Sequence, residues 1–182
     1  KKNVEIIEGD ILKINLPKLL GSEASKYRVI ANLPYYITSL IIRLFLESEF
    51  PPQEMILMVQ KEVAERIVAS PSEIPAKGRG AKRISRGKPG KMSILAVSVQ
   101  YYANPELLFY VDKNAFFPVP EVDSAVIKIT CNPQIAPSDK GEVKKFFRVV
   151  RAGFSAKRKI LVNNLASGFH LDKNIERYKL IL

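Results

Sequence analysis

The stretch Arg28-Val29-Ile30-Ala31-Asn32-Leu33-Pro34-Tyr35 joins a short apolar run to an amide, a proline and an aromatic residue. The run from Tyr27 to Ala31 predicts a strand, and the residues from Ser39 to Glu47 predict an amphipathic helix. Asn32 to Tyr35 therefore follow the carboxyl end of a strand. Because ligand sites of open α/β sheets lie at such ends, we expect these four residues to line a pocket.

The four residues suit attack by an aromatic amine. The exocyclic nitrogen of adenine is a weak nucleophile because its lone pair is delocalised into the ring, and hydrogen-bond acceptors can localise it. Asn32 offers a side-chain carbonyl, and the turn at Leu33 and Pro34 offers a backbone carbonyl. Tyr35 offers a ring on which an extruded base can stack. The same pattern also occurs in ordinary turns, so the motif alone leaves a purely structural role open.

Strand and helix patterns alternate along the rest of the first 131 residues. Further strands are predicted at Val4 to Ile7, Met55 to Val59, Leu107 to Val111 and Ser124 to Thr130, and a further helix at Lys61 to Ala69. From Ser93 to Tyr102 the helical and strand periodicities compete, and a good N-cap residue at position 93 favours a helix. A proline-rich turn makes the last two strands an antiparallel pair. The alternation predicts a mainly parallel, doubly wound α/β sheet.

A composition change divides the chain. Asn132 to Asp139 contains two prolines and is typical of a linker, and strand patterns stop after it. We therefore predict a sheet domain over residues 1–133 and a small all-helical domain over residues 134–182. In the latter, one apolar helical stripe contains Val143, Phe146, Phe147, Val150 and Phe154. A second helix is expected to begin at Ser155.

The formal net charge of +11 over 182 residues is unusual and favours a polyanionic partner. Seven basic residues and no acidic one lie between Val143 and Leu165, and the loop from Lys77 to Lys91 has the same bias. A solvated charged face is the simpler alternative, but nucleic acid contact explains both runs. The residues that we expect to contact RNA are Lys77, Arg79, Lys82, Arg83, Arg86, Arg151, Lys157, Arg158 and Lys159.

Several classes of protein are disfavoured. No apolar run approaches the 18 or more residues that a membrane span requires. A single cysteine, Cys131, excludes an internal disulfide, is typical of a small buried residue at a strand end, and fits a reducing compartment such as the cytoplasm. His170 has no cysteine or second histidine with which to form a metal site. We therefore expect no metal and no membrane partner.

Five motifs occur in an order that resembles the ribosomal RNA adenine dimethyltransferases, which modify two adjacent adenines near the end of small-subunit rRNA. The motifs are Glu8 to Leu12, Asn32 to Thr38, Val59 to Arg66, Phe116 to Val126 and Arg158 to Leu165. The resemblance implies an S-adenosylmethionine-binding, Rossmann-like domain followed by a small helical domain. It also implies direct methyl transfer to the adenine amine, without a metal or a covalent enzyme intermediate, by a monomeric protein acting on small-subunit rRNA or its precursor particle.

The resemblance assigns roles to matching positions. It implies that Asp10 binds the adenine amine of S-adenosylmethionine beside the backbone of Ile11, and that Asn32 touches this cofactor as well as the target base. Asn32 to Tyr35 would form the catalytic motif. Phe116 would form the second aromatic wall of the base pocket, whereas Phe117 is expected to be structural.

The chain also departs from the family pattern. The family's glycine-rich loop and ribose-binding acidic residue are expected upstream of Val4, so we expect the chain to be a fragment that is inactive alone. The 73–88 stretch is longer and more basic than the family's usual connection, and the family's closing segment would follow Leu182. Three alternatives stay open: a large-subunit rRNA adenine methylase, a non-catalytic nucleic-acid-binding or transcription accessory factor of the same fold, and a DNA adenine methylase, for which no separate recognition domain is found.

Overall fold

The structure is a computed structural model and describes residues 3–21, 26–69, 92–132 and 140–170. These residues form one four-stranded sheet: β1 (Arg28–Asn32), β2 (Glu54–Gln60), β3 (Ala103–Val111) and β4 (Ser124–Cys131). They also form six helices: α1 (Leu16–Leu20), α2 (Thr38–Leu46), α3 (Lys61–Ile67), α4 (Ile94–Tyr102), α5 (Lys140–Gly153) and α6 (Leu161–Gly168). Two short 3-10 turns precede α2 and β4, at Tyr35–Ile37 and Lys113–Ala115 respectively.

The strand order in the sheet is β1-β2-β4-β3. β1 and β2 are parallel, with Ile30 opposite Ile56, whereas β4 is antiparallel to both β2 and β3. Three strands therefore run in one direction, and the reversed strand β4 lies between two of them. The predicted antiparallel pair β3–β4 is confirmed. The expectation of a mainly parallel sheet is wrong for the pairing of these four strands, because β4 inserts between β2 and β3 and only β1 and β2 pair in parallel.

The core lies between the sheet and a layer of helices. Met55, Leu57 and Val59 are fully buried on one face of β2, opposite β4 residues that are buried on the same face. Helices α2 and α3 both contact α4, and α3 also contacts β2, β3 and β4. The helical residues of this core include Ile41, Ile42, Phe45, Leu46, Ala64, Ile67, Val99 and Tyr102. The alternating burial of β2 thus holds the sheet against its helices.

The region with competing periodicities is a helix, as predicted. The Ser93 side chain accepts a hydrogen bond from the backbone N–H of Ala96 at 3.1 Å, which satisfies a free donor of the first turn of α4. In the last turn of α4, the Gln100 side-chain amide donates to the carbonyls of Ile67 and Ala69 at 2.9 and 2.8 Å. These bonds fix α4 against the end of α3.

The predicted strand at Val4 to Ile7 is wrong. These residues have no regular structure, and the Ile6 side chain is 92% exposed. A strand requires a neighbour that pairs with its backbone groups. Among the described residues, no strand pairs with this segment. The apolar pattern therefore does not become a strand.

Helix α5 packs on α4 through four aromatic rings. The Tyr101 ring stacks on Phe146 with centroids 4.6 Å apart, and the Tyr102 ring stacks on Phe147 at 5.9 Å. Such pairs contribute about 0.5–1.5 kcal/mol each beyond their area burial. The predicted apolar stripe of α5 therefore contacts the sheet domain. Residues 133–139, which contain the predicted domain boundary, lie outside the described residues, so the boundary stays a prediction.

Helix α6 begins at Leu161, so the predicted start at Ser155 is wrong. The Asn164 side-chain amide of α6 donates to the carbonyls of Gly153 and Ala156, at 2.8 and 3.0 Å. Asn164 itself is buried. These bonds satisfy the carbonyls at the end of α5 and in the turn that follows, so residues 154–160 form a connection instead of a helix.

Helices α5 and α6 approach each other closely at Gly168. A Cβ atom at position 168 would lie 2.5 Å from the Cβ of Ala152. Gly168→Ala gains about 1 kcal/mol of helix propensity, but neither methyl group can rotate away and overpacking costs about 1–3 kcal/mol. We expect a net loss of stability and a lower melting temperature in thermal denaturation.

Ser167→Ala, on the neighbouring exposed position, is the control and should change stability by less than about 0.5 kcal/mol. Equal melting temperatures for the two variants would show that the helices do not approach as described.

Candidate active site

An open pocket of about 340 Å³ lies where β1 ends. Its lining residues come from two segments that are more than 80 positions apart in the sequence: Asn32, Leu33, Pro34, Tyr35, Phe116, Phe117, Pro118 and Pro120. The structure therefore brings together the motif after β1 and the aromatic and proline-rich turn before β4, as the sequence predicts. The pocket has two walls, one from each segment.

The first wall is held by the end of the parallel β1–β2 pair. The backbone N–H of Leu33 donates to the Met58 carbonyl at 3.2 Å, one residue beyond the last strand position, and the Leu33 side chain is buried. Pro34 follows with an extended ψ of 130°, and the 3-10 turn begins at Tyr35. The chain thus turns sharply at the end of the strand, which leaves the exposed side chain of Asn32 in the pocket wall.

The hydrogen-bond acceptors of this wall differ in availability. The Pro34 carbonyl accepts from the Ile37 N–H at 3.1 Å and from the Thr38 hydroxyl at 3.3 Å. Within the described part of the chain, no donor bonds the Leu33 carbonyl or the Asn32 side-chain amide. The backbone carbonyl that the turn at Leu33 and Pro34 can offer to a ligand is therefore that of Leu33.

The second wall is built on Asp112 and Asp123. The Asp112 carboxylate accepts from the Asn114 N–H at 2.8 Å and caps the 3-10 turn that leads to Phe116. The Asp123 carboxylate accepts from the Lys113 N–H at 3.3 Å, across the base of the segment. The second bond closes the loop on itself, so the segment that bears Phe116 leaves and rejoins the sheet at fixed points.

Lys61 links this loop to the beginning of α3. Its Nζ lies 3.2 Å from an oxygen of Asp123, and its backbone N–H donates to the Asp123 carbonyl at 3.0 Å. The hydrogen bond from Lys61 lowers the pKa of the Asp123 carboxyl, and the same bond raises the pKa of the Lys61 ammonium. Lys61 also lies 5.3 Å from the centroid of the Tyr110 ring, whose hydroxyl donates to Glu65.

One hydrogen bond joins the first wall of the pocket to the strand that follows the second wall. The Tyr35 hydroxyl lies 2.9 Å from the hydroxyl of Ser124, the first residue of β4, and either can be the donor. The sequence did not point to Ser124, Lys61 or Asp123 as supports of the pocket. All three lie inside the motifs that carry the resemblance, but their partners are 62 and 89 positions away and have no local signal.

The side chain of Phe117 lies in a different environment from the one expected. Its side chain is 100% exposed and lines the pocket, so the expected structural packing role is wrong. Phe116 beside it is half-buried. Because successive residues of an extended segment point to opposite sides, the segment can bury only one of the two rings. Phe117 is left at the mouth of the pocket.

Asp10 and Ile11 are not among the residues that line this pocket. One Asp10 oxygen accepts from the Leu12 N–H at 3.0 Å, and the other lies 3.6 Å from the Lys13 ammonium. The Asp10 side chain is 48% exposed. Its carboxylate therefore keeps lone pairs that can accept further hydrogen bonds, in a tight turn that also bears the half-buried Ile11.

The predicted basic surface is described only in part. Arg151 lies exposed on α5, and Lys157, Arg158 and Lys159 lie exposed in the connection between α5 and α6, not on a second helix. The other predicted contacts, Lys77, Arg79, Lys82, Arg83 and Arg86, lie outside the described residues. Along the chain, this basic cluster of Arg151 and Lys157 to Lys159 flanks the turn to which the Asn164 side chain donates hydrogen bonds.

The residue types that bind metals are scattered. No group of three or more His, Cys, Asp or Glu residues suitable for a metal occurs in the described ranges. Cys131 is buried at the end of β4 as predicted, and burial raises the pKa of its thiol to about 11, so it stays protonated at neutral pH. His170 is exposed. None of the described helices is long and apolar enough to cross a membrane.

Comparison with known proteins shows the family of the chain. The family described as ribosomal RNA adenine dimethylase matches residues 1–179. The chain belongs to this family. It is 42% identical over 95% of its length to ribosomal RNA small subunit methyltransferase A of Dehalococcoides mccartyi, strain CBDB1, and covers 53% of that protein. The corresponding protein of Alkaliphilus metalliredigens is 40% identical over 98% of the chain, which covers 58% of it.

Solved structures show the same Rossmann-like fold. A dimethyladenosine transferase from Plasmodium falciparum superposes with a TM-score of 0.67 at 22% identity, over 98% of this chain and 62% of that one. The 23S rRNA methyltransferase ErmE superposes with a TM-score of 0.66 at 20% identity, over 98% and 61%. The chain therefore has the fold of rRNA methyltransferases and spans about half the length of the curated relatives that it matches.

The pKa shift at Asp123 gives a test of the second wall. A lowered carboxyl pKa means that the ion pair stabilises the fold fully above pH 3.8 and loses this effect as the pH falls through the lowered value. Asp123→Asn keeps an acceptor for Lys113 but removes the charge. We expect a lower urea midpoint than wild type at pH 5–8, and a difference that shrinks below pH 3.8.

Glu121→Gln removes an exposed carboxylate from the same segment and is the control. It should leave the midpoint unchanged. A difference between Asp123→Asn and wild type that stays constant down to pH 2 would mean that the Lys61 ion pair contributes nothing.

Proposed function

We propose that the protein, at the full length of its relatives, transfers methyl groups from S-adenosylmethionine to the exocyclic amines of two adjacent adenines in small-subunit rRNA during ribosome biogenesis. The observation that carries the proposal is a pocket with two aromatic walls and, at its edge, two acceptors to which no described residue donates a hydrogen bond. The small-subunit names of the 40–42% identical relatives support this substrate over a large-subunit rRNA, and the intact Asn32, Tyr35 and Phe116 argue against a non-catalytic factor.

The two acceptors suit the chemistry of the adenine amine. An amine hydrogen bonded to the Asn32 side-chain carbonyl and another bonded to the Leu33 carbonyl would favour a pyramidal nitrogen, whose lone pair is localised on the nitrogen instead of delocalised into the ring. An amide oxygen is too weakly basic to be a general base, so Asn32 orients the nitrogen and stabilises the positive charge that develops on it. Most of the rate acceleration then comes from holding the nitrogen in line for attack.

The aromatic walls would hold the base itself. An adenine within a helix cannot reach a pocket of this kind, so the target nucleotide must leave the stack. Tyr35 on one wall and Phe116 on the other supply apolar surfaces, and a base stacked on an aromatic ring gains about 1–3 kcal/mol. Phe117, exposed at the mouth, can contact the nucleotide beside the target. Unpaired or loop adenines would be preferred over a regular duplex.

The chain contains groups that fit S-adenosylmethionine. When bound, this cofactor supplies an electrophilic methyl group. The half-exposed Asp10 carboxylate can accept from an adenine amine, with the Ile11 backbone beside it, as the family resemblance implies. Asn32 can contact both the cofactor and the target base because its amide bonds no other described group. Neither role requires a metal ion.

The basic connection between α5 and α6 would bind the RNA backbone. Arg151 and Lys157 to Lys159 are exposed, and among the described residues 143–165 no acidic side chain lies in the same stretch to neutralise them. Phosphate contacts of this kind contribute affinity and orientation without reading sequence. The basic segment at 77–91 would add contacts. We propose a monomer that acts in the cytoplasm on pre-ribosomal small subunits.

Replacing the catalytic amide tests the mechanism. In the full-length protein, Asn32→Ala should lower the rate of methyl transfer about 100-fold or more, because an oriented polar group at the reacting nitrogen is lost. Mass spectrometry of dimethyladenosine in treated small-subunit rRNA measures the yield. Asn104→Ala, an exposed asparagine on β3, is the control and should retain the wild-type rate. Equal yields from the two variants would remove Asn32 from the mechanism.

Neutralising Arg158 and Lys159 tests the RNA contact. The logarithm of the association constant for RNA falls linearly with the logarithm of the salt concentration. Each lost phosphate contact should reduce the magnitude of this slope by about 0.7–0.9. The double alanine variant should therefore bind rRNA with a slope smaller by about 1.5, and the affinity for S-adenosylmethionine should not change. Filter binding at several salt concentrations measures the slope.

The matched control is the double variant Arg43→Ala and Lys128→Ala. It removes two positive charges that already have acidic partners, Glu47 and Glu106 respectively. It should leave the slope nearly unchanged. If both double variants reduce the slope equally, the basic cluster acts only through the net charge.

A further inference from the structure

Ser124 is a buried polar residue next to the pocket but not in its wall. It is 1% exposed, pairs with Gln60 of β2 and Val111 of β3, and does not line the cavity. A buried hydroxyl without a partner costs about 1–3 kcal/mol. The partner that Ser124 has is the hydroxyl of Tyr35, at 2.9 Å.

This bond fixes the Tyr35 ring at its far end. The near end is held by the 3-10 turn, in which the Ile37 N–H and the Thr38 hydroxyl both donate to the Pro34 carbonyl. The phenol oxygen lies on the axis about which the ring turns, so anchoring both ends fixes the direction of the ring's long axis. The phenol oxygen is also occupied, which leaves the face of the ring as the part that can meet a base.

Ser124 also belongs to the chain segment that forms the opposite wall. Phe116 to Pro120 end four positions before Ser124, and the Lys113 and Asp123 contacts close this loop at the start of β4. The bond between Ser124 and Tyr35 therefore connects one aromatic wall to the strand that carries the other. It therefore limits how far the Tyr35 hydroxyl can move from the start of that strand.

We propose that Ser124 is a positioning residue for the acceptor base, which acts by holding the Tyr35 ring at stacking distance from Phe116. This inference rests on the proposed function. Ser124 itself touches neither substrate nor cofactor. Removal of its hydroxyl leaves the Tyr35 ring in place but free to tilt, so a bound adenine spends less time with its amine in line for attack.

The test compares Ser124→Ala, Tyr35→Phe and the double variant in the full-length protein. Each single variant should lower kcat by about 5-fold to 10-fold, the effect of one neutral hydrogen bond, with the KM for S-adenosylmethionine unchanged. The double variant should be no slower than either single variant, because the same bond is lost. Tyr35→Ala, which removes the ring, should be much slower than all three.

Two matched controls separate positioning from stability. Ser98→Ala removes another buried serine hydroxyl, on α4, and Tyr27→Phe removes another tyrosine hydroxyl, which donates to the Phe50 carbonyl at 2.9 Å. Both can lower the melting temperature but should retain the wild-type kcat. Melting temperatures of all variants are measured in parallel.

Wild-type kcat in Ser124→Ala and Tyr35→Phe, or losses that multiply in the double variant, would overturn the positioning role and leave the proposed function intact. A full-length wild type that methylates no adenine would overturn both.

Discussion

The reversed strand β4 is the constraint on which the site depends. β1 and β2 are parallel, so their carboxyl ends lie at one edge of the sheet, and β4 runs in the opposite direction beside β2. Its amino end therefore lies at that same edge, with Ser124 opposite Gln60. The residues just before β4 therefore lie next to the residues just after β1. Two segments that are more than 80 positions apart thus form one pocket.

The periodic parts of this arrangement could be predicted from the sequence. β1, α2, β2, α4 and the antiparallel pair β3–β4 follow from apolar spacing and one N-cap serine, because those signals are local. The insertion of β4 between β2 and β3 has no local signal, since it depends on which strand edges are available after folding. The failed strand at Val4 to Ile7 has the same cause: periodicity reports an apolar face but not a pairing partner.

The candidate site could also be predicted only in part from the sequence. Asn32, Tyr35 and Phe116 could be selected because their chemistry and motifs are distinctive, and the structure brings them together. The residues that hold the pocket walls in place, Ser124, Lys61 and Asp123, could not be selected. They are ordinary residue types whose importance depends on partners distant in sequence. The start of α6 was misplaced for a related reason. Asn164 bonds carbonyls 8 and 11 positions earlier, and the helical pattern does not contain that information.

We propose that the target adenine binds in the space between Tyr35 and Phe116. Photo-crosslinking tests it most directly, with the full-length protein and a small-subunit rRNA fragment that carries azidoadenosine at the methylated position. Peptide mass spectrometry would then locate the attached residue. This placement of the adenine predicts crosslinks to Tyr35 or Phe116, competed by unmodified RNA. Crosslinks confined to the region of α5 and α6, with none in the pocket, would contradict it.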